Sequence, residues 1–427
     1  MEPIRPVKGT RDFFPEDMTF RQWLYAKIRG ASERFGYQEY DGPFLERLSL
    51  YAAKSGEELV KDQSFIFEDR SGEMVALRPE LTPSLARMVG AKSKSLPRPI
   101  RWWSFGPFWR YERPQRGRSR EFFQWNIDLL GIDSPEADAE IVAAGAEFLR
   151  GVGLSPEAVR IRINDRRLAE TQLNKIGIGP DRRALVYRLI DRRDRMSPAK
   201  WLDWSLAEGL SPKELEAIRK LLDDREAWRG SAPLERFFEA ADSLGVGDYV
   251  VYDPTVIRGL DYYTGTVFEA RDSASKFRAI FGGGRYDDLV SAVGGDPVPG
   301  TGFAMGDVVL RLVLEQYNAS PVLDSRPAKV LVTTFDDSGL MPALKLATEF
   351  RGSGLEVEWY PTVAKLAKQL RYADRVGARV AVILGPDEIA AETVTLRDLA
   401  SGKQQTVPRG EAAAFARGIV EGSDDSP

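Results

Sequence analysis

The chain of 427 residues contains neither cysteine nor histidine. The absence of cysteine excludes disulfides, thiolate nucleophiles and thiolate metal sites. The absence of histidine excludes a Ser-His-Asp triad, imidazole acid–base catalysis and histidine-ligated zinc. Any catalysis must therefore rely on arginines, carboxylates, hydroxyls or groups of the substrate. Any metal would bind carboxylates and substrate phosphates, a ligand set that favours magnesium.

Long apolar runs are also missing. No stretch approaches the roughly 20 residues that are needed to span a bilayer. The first residues, Met-Glu-Pro-Ile-Arg-Pro, lack the apolar core of a signal peptide. We therefore expect no association with a membrane and a cytoplasmic location. A composition of 43% hydrophobic and 29% charged residues is typical of a globular protein, and the length predicts two or three domains.

The formal net charge of −4 argues against a globally basic nucleic-acid binder, but the charge is unevenly distributed. Residues 92–121 carry nine basic side chains against two acidic ones, and residues 160–195 carry eleven against five. Basic patches on an acidic protein suit a polyanionic partner that is bound at chosen places. Two solvated helix faces would give the same pattern, so charge alone leaves both interpretations open.

The periodicity of apolar residues divides the chain into regions. Patterns of strands and helices run to about residue 164, and charged helical segments replace strands from about 165 to 247. Strand patterns return from Tyr249, and a plausible linker spans Asn318–Pro327. Beyond it, strands alternate with helices, which predicts a small α/β domain with a mostly parallel sheet.

The segment from Phe108 to Asp128 carries the strongest chemical signal. It predicts two strands joined by a loop rich in arginine, proline, glutamine and glycine. Alternate residues of a strand share a face, so Arg110 and Glu112 would point one way. On the return strand, the residues that share a face are Phe122, Gln124, Asn126 and Asp128. Such a surface could bind a phosphate, stack a base and hold a cation. On composition alone, a simple basic hairpin with an aromatic face is the favoured alternative.

The residue patterns of this segment and of three others resemble one protein family. Phe108-Trp-Arg-Tyr-Glu112, followed by a loop, an arginine and Phe122, is similar to motif 2 of class II aminoacyl-tRNA synthetases. The exact residues of this segment resemble those of histidyl-tRNA synthetases, and so do three further segments. The N-terminal helix–strand–Pro43 element resembles motif 1 of the class. The three segments are Leu77-Arg-Pro-Glu-Leu-Thr-Pro83, Arg258-Gly-Leu-Asp-Tyr-Tyr-Thr-Gly-Thr-Val-Phe-Glu269 and Gly282-Gly-Gly-Arg-Tyr-Asp287. The resemblance covers nearly the whole chain.

The resemblance implies an α+β fold. A class II antiparallel sheet flanked by helices would occupy residues 1–320, with a helical insertion at about 165–247. An α/β anticodon-binding domain would occupy residues 328–427. The implied activity is that of a histidine–tRNA ligase, which activates histidine with ATP and transfers it to the 3′ end of tRNA(His). The implied partners are tRNA(His), histidine, ATP and a second copy of the chain in a homodimer, with Mg²⁺ bridging the phosphates.

The resemblance also implies roles for individual residues. Arg110 and Arg258 would be catalytic, because they would contact the α-phosphate from opposite sides. The ATP site would consist of Arg110, Glu112, Arg118 and Phe122. Histidine would be bound by Glu80, Thr82, Arg110, Gln124, Asp128, Arg258, Tyr262 and Tyr263. The acceptor end of the tRNA would meet Gln115 and Arg116. No direct metal ligand is assigned.

One motif departs from the family pattern. Class II motif 3 begins a helix with Gly-x-Glu-Arg, whose arginine covers ATP. Here the sequence reads Gly306-Asp-Val-Val309-Leu-Arg311, so Val309 occupies the place of the arginine. Arg311 lies two residues further on and should face roughly the opposite side of the helix. This variant of motif 3 resembles that of one branch of the family.

Two rival functions follow from the same resemblance. The first is the histidine-binding regulatory subunit of ATP phosphoribosyltransferase, which shares the core but generally lacks the anticodon-binding domain. Arg258 and residues 328–427 argue against it. The second is an inactive tRNA-binding paralogue, which only Val309 supports.

Overall fold

The computed structural model describes residues 4–52, 63–193, 196–257 and 263–422. The chain forms two compact units, one comprising Met1–Phe14 and Phe20–Pro321 and the other Pro15–Thr19 and Val322–Pro427. The first unit contains two sheets and the second contains one, and each unit has its own apolar core. No helix in the described part of the chain is long and apolar enough to cross a membrane.

The strands of the first unit form two sheets. In chain order they are β1 (Gln38–Glu39), β2 (Leu45–Arg47), β3 (Phe65–Glu68), β4 (Met74–Leu77), β5 (Ile100–Trp109), β6 (Glu121–Leu130), β7 (Val159–Asp165), β8 (Val250–Tyr252), β9 (Thr266–Asp272), β10 (Phe281–Tyr286) and β11 (Gly300–Gly306). The central sheet has the order β1-β5-β6-β11-β10-β9-β7-β8, and the small sheet has the order β2-β4-β3. Strands β3 and β4 form an antiparallel hairpin that turns at Ser71-Gly72.

The central sheet is antiparallel except at its two edges, where β1 pairs with β5 and β7 pairs with β8 in parallel. The predicted sheet flanked by helices is therefore confirmed, with parallel edge pairs that the sequence did not indicate. The helices up to residue 321 are α1 (Pro15–Arg34), α2 (Leu48–Ala52), α3 (Thr82–Ala91), α4 (Pro135–Gly151), α5 (Arg166–Lys175), α6 (Pro180–Arg193), α7 (Pro198–Ala207), α8 (Pro212–Asp223), α9 (Ala232–Ser243), α10 (Leu289–Ala292) and α11 (Asp307–Gln316). All of them belong to the first unit except the first five residues of α1, Pro15–Thr19.

Helix α4 shows how the sequence fixes the packing. Ser134 caps its N-terminus by accepting a hydrogen bond from the backbone N–H of Ala137 at 3.3 Å, and Pro135 occupies the first helical position. Its apolar residues, together with those of α1, α9 and α11, cover one face of the central sheet. Trp125, Ile127 and Leu129 of β6 belong to this core. A second apolar cluster, which includes Leu85 of α3 and Leu130 of β6, covers part of the opposite face, and the rest of that face is left for polar groups.

The insertion between β7 and β8 is helical, as predicted. The described residues there form α5 to α9 and no strand. Helices α5 to α8 share a separate core that includes Leu173, Leu189 and Ile218. Helix α9 instead contributes Leu234 and Phe237 to the main core.

The second unit contains a five-stranded sheet. Its strands are β12 (Val330–Val332), β13 (Val357–Trp359), β14 (Val380–Ile383), β15 (Thr393–Asp398) and β16 (Gln404–Pro408), in the order β13-β12-β14-β15-β16. Its helices are α12 (Leu340–Gly352), α13 (Leu366–Val376), α14 (Pro386–Ala390) and α15 (Ala412–Glu421). The first three strands are parallel, and the hairpin β15–β16 adds two antiparallel strands. The expected α/β domain is present, but its sheet is only half parallel.

Candidate active site

The hairpin β5–β6 positions a row of polar side chains. Because Trp125, Ile127 and Leu129 face the core, the alternate residues of β6 lie on the other face of the central sheet. We call this the site face, and it carries Gln124, Asn126 and Asp128. Asp128 stands opposite Gly302 of the neighbouring strand β11. The predicted sharing of one face by these residues is therefore confirmed.

A cavity of about 1040 Å³ opens on the site face. It brings together six residues that the sequence predicts for the site, namely Arg110, Glu112, Arg116, Arg118, Phe122 and Gln124. Its lining contains seven basic side chains, the others being Arg162, Arg271, Lys276 and Arg278. The acidic ones are Glu112, Asp191 and Glu269. An excess of positive charge in a concave site suits a polyanionic ligand.

Arg110 and Phe122 are in contact at one end of this cavity. The guanidinium of Arg110 lies over the ring of Phe122 at 5.3 Å from its centroid, and its Nε donates to the carbonyl of Pro79 at 2.9 Å. Nearby, Arg118 forms an ion pair of 2.9 Å with Glu112. These contacts hold two arginines on the rim of the cavity in defined orientations.

Arg78 anchors the segment that carries Glu80 and Thr82. Its guanidinium is fully buried, donates to the carbonyl of Pro107 at 2.9 Å and pairs with Asp41 at 2.5 Å. The segment is thereby fixed against the end of β5. Glu80 is buried, and Thr82 is half-buried at the first position of α3.

Asp128 lies at the bottom of the site face, with only 3% of its surface exposed. The hydroxyl of Tyr286 donates a hydrogen bond to its Oδ1 at 2.5 Å. Burial raises the pKa of the Asp128 carboxyl to about 7, although the hydrogen bond from Tyr286 lowers it in part. This carboxyl can therefore change its charge near neutral pH. Tyr286 belongs to the Gly282–Asp287 motif, but no feature of the sequence connects it with Asp128.

Two glycines of β11 make room for this contact. A Cβ atom at Gly300 would lie 2.6 Å from the ring of Tyr286, and one at Gly302 would lie 2.2 Å from Oδ1 of Asp128. Both distances are far below van der Waals contact, so the tyrosine can cross β11 only over residues that lack side chains.

Two further tyrosines lie near Asp128. Tyr263 is buried and packs against Gly284, which stands opposite Gly302 in the sheet. The hydroxyl of Tyr40 is buried without a hydrogen-bond partner in the described structure. The pKa of Tyr40 is raised well above its usual value, chiefly by burial and also by the charge of Asp128. Two other predicted residues, Arg258 and Tyr262, lie outside the described residues.

Gln124 and Asn126 carry unsatisfied amide groups. Oε1 of Gln124 and Nδ2 of Asn126 are buried, and neither has a hydrogen-bond partner within the described structure. A buried amide group without a partner costs about 1–3 kcal/mol, and most buried side-chain polar groups in proteins have a partner. Both lie on the site face, where a polar ligand would satisfy them. Asn126 was not assigned a role from the sequence, although its position in the alternation could have suggested one.

The helix of motif 3 confirms the predicted departure. Val309 is buried and contributes to both the core and the cavity wall. Arg311 faces away from the cavity, with its guanidinium 5.1 Å from the ring centroid of Phe20 and 3.6 Å from Glu315. Asp307 accepts hydrogen bonds from Arg11 at 2.8 Å and from the backbone N–H of Phe123 at 2.9 Å, so this acidic residue has a structural role.

Arg285, in the glycine-rich motif, is also structural. It is fully buried and pairs with Asp138 at 2.8 Å. It also donates to the carbonyls of Ile132 and Ser134. It therefore ties the end of β10 to the start of α4.

Comparison with known proteins agrees with this geometry. A family model described as "Histidyl-tRNA synthetase" matches residues 9–307, which is more than half of the chain. The chain belongs to the histidyl-tRNA synthetase family. A second model, described as "Anticodon binding domain", matches residues 329–419.

Individual relatives extend over the same range. The histidine–tRNA ligase of Halobacterium salinarum is 39% identical over 434 residues, which cover 99% of this chain and 98% of that protein. The histidine–tRNA ligase of Leptospira biflexa is 37% identical over 419 residues, which cover 95% of each chain. The crystal structure of histidyl-tRNA synthetase from Nostoc sp. PCC 7120 superposes with a TM-score of 0.81 at 26% identity and covers 98% of this chain and 99% of that chain.

Membership of the histidyl-tRNA synthetase family makes the protein a class II aminoacyl-tRNA synthetase, a ligase that uses ATP as a substrate. Its activity is that of a histidine–tRNA ligase. The rival regulatory function is not favoured, because an anticodon-binding region is present and these relatives are named as ligases.

Proposed function

We propose that the protein joins the carboxylate of histidine to the α-phosphate of ATP and then transfers the histidyl group to the 3′ end of tRNA(His). The observation that carries this proposal is the arrangement of the site face. The cavity is lined by seven basic side chains against three acidic ones. The buried carboxyl of Asp128, a group that can accept the N–H of an imidazole, lies on the same face of β6, four residues beyond Gln124 of the cavity lining. Phosphates and histidine would thus lie side by side on one sheet.

The first reaction needs no general base, because the attacking carboxylate is already ionised. Catalysis then consists of positioning the two substrates and neutralising phosphate charge as pyrophosphate leaves. Arginine suits this role because its planar guanidinium binds phosphate in a bidentate manner and stays protonated. We assign Arg110 and Arg258 to the α-phosphate.

The remaining ATP contacts follow the lining of the cavity. Phe122 would stack on the adenine, with Glu112 accepting a hydrogen bond from the base. Arg118, which is paired with Glu112 in this structure, would bind a terminal phosphate. In the observed structure the guanidinium of Arg110 covers Phe122. ATP would therefore take the ring face that Arg110 now occupies.

Histidine would bind against the buried part of the site face. Asp128, which Tyr286 holds in place, would accept the N–H of the imidazole, and Tyr263 would contact the ring from the side of β10. The amides of Gln124 and Asn126 would bind polar groups of the amino acid. Glu80, Thr82 and Tyr262 complete the assignment from the resemblance.

Magnesium would arrive with ATP rather than reside in the protein. Among the described residues, no group of three acidic side chains could hold a metal ion. This fits Mg²⁺, which usually takes one or two carboxylates together with substrate phosphates. Glu269 is the buried carboxylate that faces the cavity, and we assign it to this contact. Bound Mg²⁺ would neutralise charge on the phosphates.

The tRNA contacts are assigned to two regions. Gln115 and Arg116 are exposed at a tight turn that closes through two backbone hydrogen bonds between Gln115 and Arg118, of 3.1 and 2.8 Å. They would meet the terminal bases of the acceptor end. Residues 328–427 would read the anticodon, while residues 1–320 form the catalytic domain with the insertion at about 165–247.

We further propose a homodimer in the cytoplasm, with the helix–strand element of Thr19–Pro43 at the interface. Large apolar side chains are exposed next to this element, namely Phe44, Leu45, Phe67 and Met74. Exposed apolar patches of this kind are typical of protein interfaces. Light scattering at micromolar concentration should give twice the mass of the chain, and a stable monomer would refute the dimer.

Histidine-dependent exchange of pyrophosphate into ATP tests the proposed reaction. The unsubstituted protein should catalyse the exchange with histidine and charge tRNA(His), whereas a regulatory subunit or an inactive paralogue would do neither. Arg258→Ala should slow the exchange by about 10²–10³-fold, as the loss of one donor to developing charge does elsewhere. It should weaken histidine binding far less. Near-normal exchange would remove Arg258 from the catalytic residues.

A further inference from the structure

The helix of motif 3 contributes no cation to the cavity. Its residues in the lining are Val308, Val309 and Leu312, all apolar. Arg311 lies on the far side of the helix, against Phe20 and Glu315. The phosphates of ATP must therefore find their positive charge on another wall.

Apart from the motif 2 segment, which carries Arg110, Arg116 and Arg118, the wall that supplies positive charge is the hairpin formed by β9, β10 and their connection. Arg271 projects from the site face of β9, two residues beyond Glu269, to which it donates a hydrogen bond. Arg278 and Lys276 follow on the connection, and all three basic side chains line the cavity. We call Arg271, Lys276 and Arg278 the hairpin cations.

The connection is held in shape by a buried carboxylate. Asp272 is fully buried and accepts the backbone N–H groups of Lys276 at 2.9 Å and of Phe277 at 3.1 Å. Arg162 of β7 adds a hydrogen bond of 3.1 Å to the hydroxyl of Ser275. A loop that is fixed before the ligand arrives loses little entropy on binding, which suits a phosphate site.

The hairpin and the motif 2 loop border the same space. The guanidinium of Arg116 lies over the ring of Phe277 at 5.6 Å from its centroid. The acidic side chains Glu112 and Glu269 are each paired with an arginine, Arg118 and Arg271 respectively. These two ion pairs are each neutral overall. The excess positive charge of the cavity therefore comes from its other basic side chains, of which Arg116 lies on the motif 2 loop and Lys276 and Arg278 lie on the hairpin.

We propose that Arg271 and Arg278 bind the β- and γ-phosphates of ATP, and hence the departing pyrophosphate, in place of the arginine that motif 3 lacks. The proposal rests on the function proposed above. It assigns these residues to the end of ATP that leaves, not to the adenylate that stays. That distinction can be measured.

The test compares ligands that contain pyrophosphate with one that does not. For Arg278→Ala and Arg271→Gln, the KM values for ATP and for pyrophosphate in the exchange reaction should each rise by about tenfold to a hundredfold, the effect of losing hydrogen bonds to a charged group. The Kd of a non-hydrolysable histidyl-adenylate analogue should stay unchanged, because it lacks those phosphates. Arg278→Lys should restore part of the loss.

Two matched control variants replace arginines that do not line the cavity. Arg160 stands directly opposite Arg271 in the sheet and donates to the carbonyl of Asp248, and Arg311 lies on the motif 3 helix. Arg160→Ala and Arg311→Ala should leave both KM values unchanged. The proposal is overturned if Arg311→Ala raises the KM for ATP as much, if analogue binding weakens in parallel with ATP binding, or if the hairpin variants behave normally. Absence of exchange in the unsubstituted protein would instead refute the proposed function.

Discussion

A carboxyl group with a pKa near 7 makes stability depend on pH in a direction opposite to that of most carboxylates. An aspartate in the unfolded chain titrates near 3.9, whereas burial raises the pKa of folded Asp128 to about 7. Between these values the folded state binds more protons than the unfolded state. The stability contributed by Asp128 therefore falls as pH rises through this window and is lost above about pH 7.

Asp128→Asn removes this titration while keeping an acceptor for Tyr286. We expect the variant to gain stability relative to the unsubstituted protein by up to about 1.4 kcal/mol per pH unit between about pH 5 and 7. The difference should be constant above about pH 8. Urea unfolding of both proteins without substrates, at pH values from about 5 to above 8, measures this difference in the free energy of unfolding. Parallel stability curves for the two proteins would show that Asp128 titrates normally.

Asn126 offers a second test, because its replacement should weaken histidine binding without a large loss of stability. Its Nδ2 is buried without a partner in the described structure, so Asn126→Ala should leave the free energy of unfolding within about 1 kcal/mol of the original or raise it. The KM for histidine should rise because a substrate contact is lost.

Asn164→Ala is the matched control for stability. Asn164 lies on the same face of the sheet, but its Nδ2 donates to the carbonyls of Pro254 and Val256, and its Oδ1 accepts from the N–H of Asp165. Its loss should destabilise the protein by about 1–3 kcal/mol. If Asn126→Ala destabilises to the same extent with an unchanged KM for histidine, Asn126 is structural.

At the residue scale, the alternation of residues along a strand or helix predicted which side chains share a face. Contacts between residues that are distant in the sequence could not be predicted. The spacing of Gln124, Asn126 and Asp128 predicted their shared face, and the spacing of Val309 and Arg311 predicted that the arginine would turn away from the cavity. The contact between Asp128 and Tyr286 joins residues that are 158 positions apart. Only the order of the strands brings them together, and no local pattern encodes that order.

At the scale of elements, the glycine-rich strands were the hardest to predict. Glycine has low strand propensity, so β10 and β11 gave no strand signal beyond a few residues. Their glycines are explained by what lies across from them, because Gly302 faces Asp128 and Gly300 lies beneath Tyr286. Strands β5 and β6, which are rich in aromatic residues, were predicted as two strands joined by a loop, and both are present. In β10 and β11, tertiary packing overrode local propensity.

The second unit allows a prediction about a whole domain. Its sheet and helices enclose an apolar core of their own, and every residue assigned to histidine or ATP lies before residue 321. A chain that lacks residues 328–427 should therefore retain histidine-dependent pyrophosphate exchange while losing most charging of tRNA(His). Both activities can be measured on the same preparation. Unchanged charging would refute the role of these residues in reading the anticodon.

At the scale of the whole molecule, the composition agrees with the chemistry. Carboxylate attack and neutralisation of phosphate charge require no imidazole, and the site face uses arginine, carboxylate, amide and phenol groups instead. The complete absence of histidine from 427 residues is therefore compatible with full activity. The absence of histidine also affects synthesis of the protein. A histidine–tRNA ligase that contained histidine would need, for its own translation, the charged tRNA that it produces.

We expect the histidine-free chain to be translated even when charged tRNA(His) is scarce. The comparison is with a variant that carries histidine at three exposed positions of α8, Lys213, Glu216 and Lys220. A variant with glutamine at the same positions controls for the substitutions themselves. When cells are starved for histidine, synthesis of the original and glutamine chains should persist, whereas synthesis of the histidine-bearing chain should fall. Equal loss in all three would mean that the absence of histidine gives no protection, because translation would then be limited by something other than the supply of charged tRNA(His).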